Sequence, residues 1–174
     1  MKTIKILIFT FLITSCAPIY LTTDFEKGTD FSKYKTYNYY SDMETGLSAL
    51  DAKRLLDVLD AQLQLQGLSI SENPDFFINI QSKEYPAQQN STVGVGVGGT
   101  GRNIGGGVSI GIPVGTAKVT REIIFDFIDE NGIGLFWQAT SESTYNPNAS
   151  PEKREASLQA LVEKVFKKYP PQQK

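Results

Sequence analysis

Two runs of alternating apolar side chains constrain the fold of this chain more than any other feature. Ile123, Phe125 and Phe127 fall on one face of residues 119–128, and Ile133, Leu135, Trp137 and Ala139 fall on one face of residues 133–145. A period of two is the pattern of a half-buried strand. Asp129-Glu130-Asn131-Gly132 separates the runs, and Asn-Gly tolerates the positive φ that a tight hairpin turn requires. The runs are therefore expected to be antiparallel neighbours, with these residues in the core.

Weaker patterns supply the other elements. Residues 34–40 are rich in β-formers and read as a first strand. Leu47, Leu50, Leu55, Val58, Leu59 and Leu63 recur at three and four, an amphipathic helix with Asp51, Lys53, Asp57 and Asp60 on its wet side. Its start is either Ser41 with Glu44 or Ser48 with Asp51, and Gly67 closes it. Residues 68–70 make at best a short strand, whereas residues 75–85 alternate with Phe76, Ile78 and Ile80 on one face. A last helix is capped by Ser150, carries Pro151 in its first turn, presents Leu158, Leu161, Val162, Val165 and Phe166, and stops at Pro170-Pro171. This order predicts the α+β class: a mixed, mostly antiparallel β-sheet with two helices packed on one face and a glycine-rich β-hairpin or loop insertion.

The N-terminal end reads as an address. Lys2 and Lys5 precede an apolar run over residues 6–13, which has the length of a secretory h-region and is too short to span a bilayer. Ile13-Thr14-Ser15-Cys16 then resembles a bacterial lipobox, and Cys16 is the only cysteine. The expectation is a signal peptide over residues 1–15, a diacylglycerol-modified Cys16 holding the chain on a membrane, a tether over 16–24, and one domain over 25–174 with an insertion at 86–117. Two or three acyl chains hold far more firmly than one. Ala17 follows Cys16 and no acidic residue precedes Asp24, which by analogy with lipoprotein sorting points to the periplasmic face of the outer membrane.

Composition narrows the chemistry. Among 174 residues are 17 basic and 19 acidic side chains, and loss of Lys2 and Lys5 with the leader would take the net charge from −2 to −4. No basic excess remains for nucleic acid. The absence of histidine and the single cysteine exclude Ser-His-Asp and Cys-His catalysis, an intrachain disulfide and most zinc sites. No cofactor or metal is expected beyond the acyl lipid. Asp126, Asp129, Glu130 and Glu142 are the candidates for carboxylate chemistry, although acidic residues around a β-turn are ordinarily solvated turn formers. Tyr34, Tyr37, Tyr39 and Tyr40 could stack on a ligand, or pack their rings within a strand.

Ten of the fifteen glycines lie between Val93 and Gly115, and Arg102 is the only charged residue from Pro86 to Ala117. Val93, Val95 and Val97 alternate with glycine, and Val108, Ile110, Ile112 and Val114 alternate again beyond Arg102. Gly94, Gly96 and Gly99 fit G-x-G-x-x-G, but no helix signature follows, so dinucleotide binding is not supported. Two readings stay open: a flexible loop, or a hairpin arm through Val93, Val95, Val97, Arg102, Val108, Ile110 and Ile112 that pairs with another copy or envelope protein, or touches the membrane.

Several motifs taken in order carry a resemblance. They are Asp30-Phe31-Ser32-Lys33-Tyr34-Lys35-Thr36-Tyr37, Gln66-Gly67-Leu68, Asp75-Phe76-Phe77-Ile78-Asn79-Ile80, Phe125-Asp126-Phe127-Ile128-Asp129, Leu135-Phe136-Trp137-Gln138-Ala139 and Phe166-Lys167-Lys168-Tyr169-Pro170-Pro171. Together they resemble domain-of-unknown-function family 4136 over nearly all of the chain after the leader. The resemblance implies a lipoprotein of Gram-negative bacteria and transfers no catalytic residue. The expected function is an outer-membrane-anchored, non-enzymatic binding or envelope-assembly module. The alternative is a carboxylate-dependent hydrolase acting on a cell-envelope polymer.

Overall fold

The computed structural model describes residues 18–86, 92–94, 111–113 and 119–172. In chain order the elements are β1 (Ile19–Phe25), a short 3-10 turn (Phe31–Lys33), β2 (Thr36–Tyr39), α1 (Ala49–Leu65), β3 (Ser69–Ile70), β4 (Phe76–Pro86), β5 (Thr92–Gly94), β6 (Gly111–Pro113), β7 (Val119–Asp129), β8 (Gly134–Tyr145) and α2 (Pro151–Phe166). Six strands form one sheet in the order β1-β8-β7-β4-β2-β3. β2 runs parallel to β3 and β4, and the other pairings are antiparallel, so the sheet is mixed and mostly antiparallel, as expected.

Strand alternation sorts the side chains. Phe76, Ile78, Ile80, Ile123, Phe125, Phe127, Trp137 and Ala139 are fully buried and pack with Leu55, Leu59 and Leu63 of α1 and Leu158, Leu161, Val162, Val165 and Phe166 of α2. Both helices thus cover the same face. The alternate positions, among them Phe77, Asn79, Ile124, Asp126 and Gln138, are half-buried on the other face.

Four local expectations are corrected. Residues 19–24, read as part of a tether, belong to β1, which pairs with β8 from Ile19 opposite Ser143 to Phe25 opposite Trp137. Ile19, Leu21 and Thr23 are half-buried while Tyr20 and Thr22 face out, the alternation of a strand whose central neighbour supplies its hydrogen bonds. The β7–β8 connection is not a two-residue Asn-Gly turn: Asp129 pairs with Gly134, and the positive φ falls on Gly134 at 76°, not on Asn131 or Gly132.

The third correction follows from a register shift between Phe127 and Ile128, where Phe127 faces Trp137 but Ile128 faces Leu135. Phe136 is the extra residue of this bulge. Phe136 and Trp137 are both fully buried, and Ile133 and Leu135, expected inside, are each 48% exposed. Fourth, α1 begins at Ser48, whose side chain accepts the Asp51 amide; Leu50 points outward and Asp51 inward. The far end of α1 closes as expected, with Gly67 at φ 83° and the Leu68 amide reaching the Leu63 carbonyl at 3.0 Å.

Between β4 and β7 lies a two-stranded ribbon of β5 and β6. β4 and β7 pair from Phe77 opposite Ile128 to Pro86 opposite Val119, and β5 and β6 pair from Thr92 opposite Pro113 to Gly94 opposite Gly111. Equal lengths intervene on the two strands, so both pairings keep one register. Val93 stands opposite Ile112 in this ribbon. Val95, Val97, Arg102, Val108 and Ile110 of the expected arm, and Cys16, lie outside the described residues.

Candidate functional site

Asp51 sits one helical repeat before Leu55, Leu59 and Leu63, on the stripe that α1 buries. A fully buried carboxylate is tolerated only when its charge is met. Three guanidiniums meet it. Arg54 donates from Nη1 to Oδ1 at 2.9 Å, Arg154 of α2 donates from Nη1 to Oδ2 at 3.0 Å, and Arg121 of β7 donates from Nη1 to Oδ2 at 3.3 Å. One side chain therefore ties both helices to the sheet.

The arginines have further roles. Arg121 donates from Nη2 at 2.6 Å and from Nε at 3.0 Å to Oε1 of Glu84, its cross-strand neighbour on β4, and its guanidinium lies 3.3 Å from the centre of the Tyr145 ring. Arg154 donates to the carbonyls of Ala149 and Pro147, fastening the loop that leads into α2. Beside these groups is a cavity of about 100 Å³, bounded by Asp51, Arg121, Ser143, Tyr145, Arg154 and Ser157 among others. It lies at the end of the sheet where β1 and β7 begin and β8 and β4 end, because Ile19, Ser143, Arg121 and Glu84 form one row across four strands.

The carboxylates weighed from sequence do not gather into one centre. Asp126 accepts a 2.7 Å hydrogen bond from Gln138, and Asp129 is buried beneath Lys33 at 3.2 Å and the Tyr34 hydroxyl at 3.0 Å. Glu130 meets Tyr40, whose hydroxyl is pushed up to about 12 by burial and by that carboxylate. Glu142 lies four positions from Asp126 along the neighbouring strand, about 13 Å at the usual strand rise, and faces Glu122 instead. Burial first, then the charges of Glu142 and Glu122, raise the Tyr85 hydroxyl above its ordinary value. Among the described residues no group of three or more acidic or thiol side chains is placed to hold a metal ion.

The tyrosines divide. Tyr34 and Tyr37 are buried; Tyr34 stacks on Phe136 at 4.0 Å between ring centres. Asp60 of α1 accepts the hydroxyls of Tyr37 at 2.8 Å and Tyr39 at 2.7 Å, and burial followed by that carboxylate raises both phenols. Asp60, assigned to the wet side of α1, is thus half-buried beneath the sheet's edge. Tyr40 stacks on Phe77 at 5.0 Å on the face opposite the helices.

A family model described as "Domain of unknown function (DUF4136)" matches residues 21–171. No curated protein matches the chain. Among solved structures, a PDZ domain protein from Parabacteroides distasonis is similar over 90% of this chain, with a TM-score of 0.57 and 14% identity. This chain spans 37% of that protein's length. PelC from Paraburkholderia phytofirmans, described as a dodecamer, is similar over 90% of this chain and 100% of its own, with a TM-score of 0.51 and 12% identity. At such identities the likeness is one of fold.

Proposed function

The chain belongs to the DUF4136 family, and from that premise we propose that it is an envelope lipoprotein, anchored through Cys16 on the periplasmic face of the outer membrane, that acts by binding rather than by catalysis. The observation that carries this reading is the ribbon. β5 and β6 pair in the same register that β4 and β7 set, and β4 ends and β7 begins at the end of the sheet where β1 begins. A glycine-rich segment whose one charged residue from Pro86 to Ala117 is Arg102 suits contact with another backbone. The lipobox-like Ile13-Thr14-Ser15-Cys16 and the apolar run before it support the anchor. The dodecamer described for PelC, a protein of similar fold, supports self-association as the form of contact. The binding reading is favoured over hydrolysis because Asp126, Asp129 and Glu130 each hold a partner within the fold.

The test compares the detergent-extracted full chain with a variant lacking residues 93–115 and with Cys16→Ser. Acyl-chain labelling is expected in the first two and lost in Cys16→Ser. On size exclusion the intact chain is expected to run as an assembly, or to recover envelope proteins by crosslinking, and the deletion variant is expected to do neither. Identical association and identical crosslinked proteins with and without residues 93–115 would remove the arm from the reading. An unlabelled position 16 would remove the anchor.

A further inference from the structure

We propose that the outer edge of β1 pairs, antiparallel, with the same edge of a second copy of this chain about a twofold axis at Thr22. Backbone direction along β1 defines the surface. The Glu26 amide donates to the Phe136 carbonyl at 3.0 Å, and β1 keeps one register with β8 from Ile19 to Phe25. In an antiparallel pair alternate residues bond the neighbour, so Tyr20, Thr22 and Asp24 bond β8 while Ile19, Leu21, Thr23 and Phe25 turn their amides and carbonyls outward. The two ends of this edge are occupied. Lys164 of α2 donates to the Ile19 carbonyl, and the Asp24 side chain accepts the Phe25 amide at 2.9 Å. Between them the amides and carbonyls of Leu21 and Thr23 meet no partner among the described residues. β1 carries no lysine, proline or bulge to ward off another strand. The opposite side of the sheet is guarded: beyond β2 the Met43 sulfur accepts the Ile80 amide at 3.2 Å, and β4 ends on Pro86, which has no amide to offer.

Register selects the partner. When Thr22 faces Thr22 of the second copy, Leu21 faces Thr23 and all of Ile19–Phe25 is paired. The free amides and carbonyls of the two copies then satisfy one another, and the occupied ends, Ile19 and Phe25, stand opposite each other. A slide of two residues either way sets a free group against an occupied one, the Ile19 carbonyl or the Phe25 amide. The same register places Asp24, the one charged residue of the strand, opposite the exposed Tyr20 and not opposite itself, and joins Ile19 to Phe25 as an apolar pair. A twofold contact requires one patch to complement itself, and this edge does so as it stands. The strand offers 7 residues, against the roughly 20 or more a side of a stable interface. The pair therefore forms between crowded neighbours and comes apart on a size-exclusion column. It needs neither residues 93–115 nor an acyl chain on Cys16.

The test is disulfide trapping on the full chain in nonionic detergent at high protein concentration, in the Cys16→Ser background so that each introduced thiol is the only one. Thr22 meets itself at a non-hydrogen-bonded position, where Cα atoms lie about 4.5 Å apart and a disulfide can close. Thr22→Cys is expected to give a linked dimer on mild oxidation. Tyr20→Cys and Asp24→Cys are expected to give none alone and to link to each other when mixed. Adding Thr23→Pro to Thr22→Cys removes an outward amide and spares the bonds to β8, and is expected to cut the dimer about tenfold or more, two hydrogen bonds per pair being lost. If that variant does not fold, amide exchange carries the test: exchange at Leu21 and Thr23 is expected to slow as concentration rises while Thr22, bonded to β8, is unchanged. Deleting residues 93–115 is expected to leave the dimer of Thr22→Cys intact, so failure of the arm and failure of this edge are told apart. No dimer at position 22, equal dimer at positions 20, 22 and 24, a dimer lost with residues 93–115, or exchange at Leu21 and Thr23 that ignores concentration overturns the inference.

Discussion

Asp51 holds α1, α2 and β7 together with two oxygen atoms, and nothing near it in sequence announces this. The 51-55-59-63 spacing was readable, but an aspartate in that series reads as a solvated position, and its partners Arg121 and Arg154 lie 70 and 103 residues away. Buried charge is defined by what the fold brings to it, so residue type misled where spacing was correct. Removing the carboxylate takes from Arg121, which the fold keeps from water, one of its two counter-charges, and takes from Arg54 and Arg154 the carboxylate that both meet. Asp51→Ala is expected to cost about 3–5 kcal/mol in urea unfolding, as for other broken buried pairs. A loss of about 1 kcal/mol or less, the size of an exposed pair, would show that the arginines find water instead.

At the scale of elements, periodicity located both helices, the strand of Phe76, Ile78 and Ile80, and the inward face of β7. The α2 stripe was read residue for residue, from Leu158 to Phe166. What periodicity could not show was a one-residue bulge. By inserting Phe136 the chain turns both Phe136 and Trp137 inward and moves Leu135 out, and a period-two pattern carries no mark of the residue at which its phase slips. The turn was misread for a related reason: Asn131-Gly132 has the composition of a two-residue hairpin, yet the left-handed conformation falls at Gly134. A methyl group there meets nothing within 4 Å, so any penalty is backbone strain alone. Gly134→Ala is expected to destabilise by about 1–2 kcal/mol, and Gly134→Asn by less. Equal stability of Ala and wild type in denaturant titration would place the strain elsewhere.

For the molecule as a whole, the two halves of the sheet are joined at the start of β4 by Asp75, which accepts the amides of Lys35 and Thr36 at 2.8 Å each. Partial burial raises its pKa, but those two amides and the Thr36 hydroxyl outweigh it and hold the carboxyl below its ordinary 3.8. A depressed folded-state pKa stabilises above the unfolded value and is lost as pH falls through the folded one. Asp75→Asn is therefore expected to lower the unfolding midpoint at neutral pH, with the gap to wild type closing as pH drops below about 4. A gap that is constant with pH would assign the effect to lost geometry rather than charge. Ile19, Ser143 and Arg121 occupy neighbouring strands, so the start of β1 and the start of β7 lie about 10 Å apart, two strand spacings. Both doors open on the same hallway. On the proposed reading, a body bulky enough to grip one crowds the other, so visitors to the two would arrive in turn or as a single guest that fills the passage.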